Sequence, residues 1–184
     1  LEAAGFTQVV LARELSLNEI RRTSEATTVP LEVFVHGALC VSYSGQCYLS
    51  AALSGRSANR GECAQYCRLP YTMVDATGTE IVSNKHLLSL KDMNRSDQLE
   101  ALLDAGVSSL KIEGRLKDAG YVKNITAYYR KKLDAVLSRR PEYRRASAGR
   151  STYTFEPVAE KSFNRGFTTF LLEGRTADIT AFNT

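Results

Sequence analysis

Short apolar runs alternate along this chain with stretches in which apolar residues recur every three or four positions. The first run, Gln8–Ala12, predicts a buried strand. Ser16-Leu17-Asn18-Glu19 follows as a capping box. The serine hydroxyl can accept from the Glu19 N–H, and the glutamate can reach back to the Ser16 N–H. Leu15 and Ile20 stand where a hydrophobic staple would lie. The predicted helix runs from 16 to 25 and stops at Thr27-Thr28-Val29-Pro30, because the residue before a proline is pushed out of the helical region. Leu31–Val35 predicts a second strand. Pro70–Asp75 and Thr79–Ser83 predict a hairpin around Thr77-Gly78. Short helices are expected at 85–91 and from a Ser96 cap to Asp104, the second with Leu99, Leu102 and Leu103 on one face and Gly106 as its stop. Val107–Glu113 predicts a third strand. Asp118–Arg139 predicts a long helix with Val122, Ile125, Tyr129, Leu133 and Val136 as its core stripe. Ser151–Glu156 and Gly166–Leu172 predict two more strands.

Strands alternating with helices imply parallel pairing through right-handed crossovers. Strands 8–12, 31–35 and 107–113 are therefore expected side by side in a mostly parallel sheet, with helices 16–25 and 118–138 on one face. Three parallel strands cannot close a barrel. The expected fold class is α/β: the C-terminal portion of a (β/α) TIM-like barrel over 1–137, then a basic linker and the start of a second, β-containing region over 138–184. The chain begins with Leu and enters its first strand almost at once, which reads as a segment cut from a longer protein. The open sheet edge is expected to be covered by a second copy, giving a homodimer. In such barrels the chemistry gathers in the loops after the strands. The loop over 36–69, rich in Cys, Ser and Gly, follows the second strand.

Composition narrows the partners. Of 184 residues, 43% are hydrophobic and 24% charged, which excludes wholesale disorder, a collagen-like fibre and a disulfide mini-protein. No apolar run approaches the roughly 18 residues of a membrane helix, so no membrane partner and a cytoplasmic location are expected. The net charge of +4 is uneven: residues 130–150 hold 8 basic against 2 acidic residues. Arg130, Lys131, Lys132, Arg139, Arg140, Arg144 and Arg145 are candidate contacts to RNA phosphates. The competing reading is a solvated helix end and linker.

Candidate chemistry centres on four cysteines. Cys40, Cys47, Cys63 and Cys67 follow C-x6-C-x15-C-x3-C within 28 residues. Four thiolates meet the ligand demand of an iron–sulfur cluster or a zinc site, and the loose spacings leave room for a bulky group. The alternatives are buried reduced cysteines or a redox disulfide. Gly37, Gly45, Gly55 and Gly61 permit turns around a ligand. His36 is expected at the mouth of its strand, as acid–base, substrate donor or ligand. Glu32 alternates with Phe34 and His36, so the three are expected on one face, and a carboxylate within an apolar strand needs a partner or a role. Glu113 and Arg115 end the third strand as a candidate acid–base and an anion clamp, against a local ion pair of Glu113 with Lys111 or Lys117. His86 is a weaker candidate. No nucleophile elbow, H-E-x-x-H, phosphate-binding Gly-Lys-Ser/Thr loop or dinucleotide fingerprint is present.

The string Glu32-Val33-Phe34-Val35-His36-Gly37-Ala38-Leu39-Cys40, with Ser44-Gly45-Gln46-Cys47 and Ser50, resembles the signature of the U32 peptidase, or collagenase-like protease, family. The likeness continues through Asn59–Cys63, Cys67-Arg68 and Leu110–Arg115, and Arg165-Gly166-Phe167 looks like the start of the family's next domain. The family name records a protease of no established catalytic class. Other members are RNA hydroxylases, acting on tRNA uridine or ribosomal RNA cytidine, or oxygen-independent hydroxylases of ubiquinone synthesis. The resemblance implies a 4Fe–4S cluster on Cys40, Cys47, Cys63 and Cys67, with zinc or an empty site as the alternative in this segment. The string over 54–63 is most similar to the ribosomal RNA branch. The resemblance thus implies an iron–sulfur RNA-hydroxylating enzyme acting on ribosomal or transfer RNA, with a peptidase using His36 and Glu32 or Glu113 on a peptide substrate as the alternative. The segment alone is expected to be inactive.

Overall fold

The computed structural model of the chain describes residues 2–177 and 179–183. Its strands are β1 (Val9–Val10), β2 (Leu31–Ala38), β3 (Tyr71–Val74), β4 (Glu80–Lys85), β5 (Asp92–Asn94), β6 (Val107–Ile112) and β7 (Phe167–Thr168). Its α-helices are α1 (Leu17–Glu25), α2 (Leu49–Ser54), α3 (Leu99–Asp104) and α4 (Ala119–Leu137).

β2 is the centre of the sheet. β6 runs parallel along one edge, from Leu31↔Val107 to His36↔Ile112. The other edge is divided. β1 pairs parallel at Leu31 and Glu32, and β5 pairs antiparallel from His36 to Ala38. β7 then adds in parallel to β5. The three expected parallel strands are therefore neighbours in the order β1-β2-β6, while β5 is an antiparallel member that the sequence pattern did not predict. β3 and β4 form a separate hairpin, whose turn is closed by Asp75 Oδ1 accepting from the Thr77 and Thr79 N–H groups at 2.8 and 2.9 Å.

One face of β2 carries the core. Leu31, Val33 and Val35 pack with Ile20 of α1, Leu99 and Leu102 of α3, and Tyr121, Ile125 and Tyr129 of α4. Each helix reaches this face for a local reason. Ser16 caps α1 with both bonds of the capping box formed. Asp118 caps α4 by accepting from the Tyr121 N–H at 2.8 Å. α4 buries Tyr121 and leaves Val122 44% exposed, so the predicted stripe is displaced by one residue at its first turn. The cause is the wide Tyr121 ring, which fills the space beside His36 at 6.2 Å between centroids.

Other expectations fail where long-range pairing outweighs local pattern. Residues 86–91 form no helix. Instead the His86 and Lys91 N–H groups donate to the Phe182 and Ile179 carbonyls, and Leu90 bridges to Thr180. Ser96 opens a 3₁₀ turn and is not a helix cap. No strand forms over 151–156, and 166–172 contributes only Phe167–Thr168. Residues beyond α4 return to the same core, where Ala159 and Leu172 are buried.

The Tyr129 hydroxyl ties the layers together. It lies 2.7 Å from the Val35 carbonyl, 2.9 Å from Asn94 Oδ1, 3.2 Å from the Arg95 N–H and 3.3 Å from His36 Nδ1. It therefore joins α4 to β2 and β5 at their junction, and burial drives its pKa up. Tyr129→Phe should destabilise the fold by about 1–3 kcal/mol, since it strands buried polar groups without leaving a cavity. Urea unfolding measures this. A loss no larger than that of an exposed Tyr→Phe control would show that the hydroxyl carries no tie.

Candidate functional site

The site forms where β2 and β6 end. Gly37 has φ +121°, and a side chain there would place its Cβ 2.8 Å from Glu113 Cβ. Only glycine allows this approach without displacing Glu113. The Glu113 N–H donates to the His36 carbonyl at 2.9 Å, so Glu113 projects from the strand end. Its carboxylate pairs with Arg13, which follows β1. The Arg13 guanidinium lies over the Phe34 ring at 3.7 Å, and its carbonyl accepts from Arg95 at 3.2 Å. Arg95 is 1% exposed, and burial lowers its pKa to about 10. It also donates to the Phe34 carbonyl at 3.1 Å and so holds the floor under Arg13.

A cavity of about 460 Å³ opens above this floor, and all four cysteines line it. Its wall also carries Arg13, Arg68, Arg115, Lys117 and Arg165, with Glu113 as the one carboxylate among the described residues. Cys40 and Cys63 are exposed, Cys47 and Cys67 half-buried, and none is in a disulfide. Irregular backbone holds the loop. The Cys47 N–H donates to Asn59 Oδ1 and the Ala64 N–H to Ser50 Oγ, each at 3.0 Å. Arg68 anchors the end of the loop by donating to Ser89 Oγ at 3.0 Å, to the Leu90 carbonyl at 2.9 Å and to the Leu39 carbonyl. Burial pushes the Cys67 thiol up, the neighbouring Arg68 charge opposes this in part, and Cys40, Cys63 and Cys47 add to the rise. The donor set fits a soft metal or cluster: four sulfur ligands on one cavity, with cations beside them to offset thiolate charge. Among the described residues no three His, Cys, Asp or Glu side chains are already gathered at ligating distance.

The other predicted residues are dispersed. Arg115 lines the cavity beside Glu113. Glu32 pairs with Lys111 and accepts from Ser109 Oγ at 2.6 Å, a bond that lowers its pKa. The shared face of Glu32, Phe34 and His36 is broken by a bulge between Phe34 and His36. Beyond it, His36 turns towards the helices. It is 1% exposed, with its ring 5.4 Å from those of Tyr129 and Phe167, and it does not line the cavity. His86 faces the Arg68 carbonyl at 2.8 Å. In the basic run, Arg130 and Arg145 pair with Asp134, Lys131 with Glu156, Lys132 with Asp97, Arg139 with Glu100, and Arg140 with Glu100, Asp104 and Glu142. Among the described residues of this run, Arg144 and Arg150 lack such a pair. Of the site's cations, sequence reading named Arg115 and missed Arg13, Arg68, Lys117 and Arg165 as site residues. Arg13 was findable, because it follows a strand of a parallel sheet. Arg68 stood next to a cysteine. Arg165 carried no local signal.

Two outcomes follow from burial. His36 has its pKa lowered from 6.5 to about 4, so the unfolded chain binds its proton first as pH falls. His36 thus supports the fold fully above pH 6.5, and that support drains away between 6.5 and 4. Roughly 2 kcal/mol should be lost between pH 7 and pH 5 in urea titrations, and His36→Gln should flatten that slope. Equal slopes would mean that His36 is not held neutral. At the loop, a thiol reagent at pH 8 should label Cys40 and Cys63 before Cys67, because the reactive species is the thiolate. Peptide mapping reads the order. Equal rates at all four would contradict the burial of Cys67.

The chain is 56% identical over 183 residues to a 23S rRNA 5-hydroxycytidine synthase of Escherichia coli, a match that covers 100% of this chain and 28% of that protein. It is 39% identical over 137 residues to tRNA hydroxylation protein P1 of Bacillus subtilis, covering 71% of this chain and 32% of the relative. It is 37% identical over 172 residues to a collagenase of Porphyromonas gingivalis, covering 86% and 40%. The chain thus spans well under half the length of each. No solved structure matches it. The model of peptidase family U32 matches residues 1–181, and the chain belongs to that family.

Proposed function

We propose that the longer protein to which this chain corresponds hydroxylates a pyrimidine of RNA, with ribosomal RNA the favoured substrate and transfer RNA the second. The observation that carries this reading is the 56% identity, over the whole chain, to the ribosomal RNA enzyme. The cavity supports it. Five cationic side chains against one carboxylate suit a polyanion. Because the run over 130–150 is largely ion-paired within the chain, phosphate contacts belong first to Arg115 and Lys117 at the cavity. Glu113, held by Arg13, is placed to take or give a proton beside the base, and Arg115 to clamp an anionic oxygen. Cys40, Cys47, Cys63 and Cys67 would hold a 4Fe–4S cluster, which supplies electron-transfer or Lewis-acid chemistry when bound; the same sulfurs suit zinc.

The wider architecture follows the same reading. The parallel strands fit one part of a (β/α) barrel whose remaining strands would continue from the outer edge of β6, supplied by the longer chain or by a second copy. No helix among the described residues is long and apolar enough to cross a membrane. An enzyme of RNA would work in the cytoplasm. A peptidase reading is favoured by the family's name and by relatives such as the 37% identical collagenase.

The test uses the full-length protein in a strain lacking it. Nucleoside mass spectrometry of ribosomal and transfer RNA should show one hydroxylated pyrimidine restored by the wild type. Cys63→Ser and Glu113→Gln should each lower its level by roughly tenfold or more. Unmodified RNA alongside cleavage of gelatin by the purified protein would instead establish the peptidase.

A further inference from the structure

The turn after β6 holds an unusual residue. Leu116 is 81% exposed, more than any other large apolar side chain among the described residues. It also has φ +60°, in the left-handed region that a leucine enters only at a cost. Both features place an apolar side chain in water in a strained backbone, and neither helps the fold. The turn is ordered by the Lys117 N–H donating to the Gly114 carbonyl at 3.0 Å. Leu116 lines the cavity, and so do its neighbours Arg115 and Lys117. Lys117 is itself steadied over the Phe163 ring at 3.8 Å. Tyr43, 60% exposed, is the single aromatic ring lining the cavity.

We propose that Leu116 is a wedge that enters the base stack of a folded RNA, while Arg115 and Lys117 hold the phosphates on either side of it. The proposal rests on the RNA reading above and deepens it by naming the substrate form: a pyrimidine extruded from its stack into the cavity. The physical need is general. A reagent in a concave site cannot reach the ring of a stacked base, so an enzyme that modifies a base takes it out of the stack. The gap left behind is filled by an apolar side chain inserted between base steps, as in proteins that kink nucleic acid. Such a side chain must stand clear of the protein, carry no polar group, be fixed in direction and be flanked by cations. Leu116 meets all four conditions. The left-handed backbone fixes its direction. Tyr43 offers a ring face to the extruded base, and base–aromatic stacking tolerates any base.

The test separates wedge, fold and RNA reading. The full-length protein is mixed with an RNA hairpin that carries 2-aminopurine beside the pyrimidine identified by nucleoside mapping. The wild type should raise the 2-aminopurine fluorescence, because the reporter loses its stacked neighbour. Leu116→Gly should abolish most of that rise and lower kcat/KM on the hairpin by roughly tenfold to a hundredfold. On an unstructured RNA of the same sequence the loss should be small. Leu116→Met should restore the fluorescence. Glycine at φ +60° relieves backbone strain, so the melting temperature of Leu116→Gly should not fall. A lower melting temperature would mean that Leu116 packs against another part of the protein, and the wedge would be refuted. An unchanged fluorescence rise in Leu116→Gly would refute it as well, with the RNA reading intact. If the wild type neither binds nor unstacks the hairpin, the RNA reading itself fails.

Discussion

Everything at the site depends on how one edge of β2 is shared. β1 occupies its first two residues and β5 its last three, running in the opposite direction. Between them the strand offers the Val35 carbonyl, which accepts from the Arg95 N–H and from the Tyr129 hydroxyl. A parallel strand extending along that edge would have taken these groups. The interruption lets Arg95 enter the interior, and Arg95 in turn bonds the carbonyls of Phe34 and Arg13. Arg13 then holds Glu113. The position of the cavity's one carboxylate is thus traceable, bond by bond, to a change of strand direction two residues before Gly37.

Charge at the site follows a similar economy. The densest run of basic residues along the sequence is not the basic surface of the folded chain, because α4 and the segment after it lie beside Asp97, Glu100, Asp104, Asp134 and Glu156. Exposed pairs of this kind contribute little to stability, about 0–1 kcal/mol each. Their effect is to remove those side chains from competition for an external anion. The five cations of the cavity come from four places in the chain, with Glu113 paired to Arg13 and Asp92 to Arg165. Such a wall favours a polyanion.

How much of this was legible in the sequence depends on the range of the interactions involved. Elements set by local chemistry were readable: the Ser16 capping box, the Asp75 hairpin turn, the Asp118 helix start and the three parallel strands. β5 was not, because three residues with the pattern Asp-Met-Asn carry no strand signal and form a strand only against β2. The helix expected over 85–91 failed for the same reason, since Lys85 ends β4 and the backbone bonds of His86 and Lys91 go to Phe182 and Ile179. His36 was misplaced by one bulge, which reversed the side of the sheet it faces. The cysteines were legible as a group because they fall within one short loop, and that loop lines one cavity. Their cationic surroundings were not, because Arg13 and Arg165 lie far apart in the chain and meet only through the sheet.

The two sides of β2 divide strain and satisfaction between them. On the helix side, the Tyr129 hydroxyl joins His36 and Asn94, and rings pack around them, so this half is buried and its polar groups are satisfied. On the cavity side, polar groups face outward and the backbone is bent against preference. Four non-glycine residues among those described have left-handed φ values, and two of them, Gln65 at +58° and Leu116 at +60°, line the cavity. One sits between Cys63 and Cys67, the other between Arg115 and Lys117. Strain of about 1–3 kcal/mol at such positions persists only where the surroundings over-determine it. Here the surroundings are Arg68, which clamps the cysteine loop to the Leu39 and Leu90 carbonyls, and the Gly37–Glu113 approach, which pins the end of β6. The satisfied side is therefore what allows the strained side to exist, and the strain lies in two loops that line the cavity.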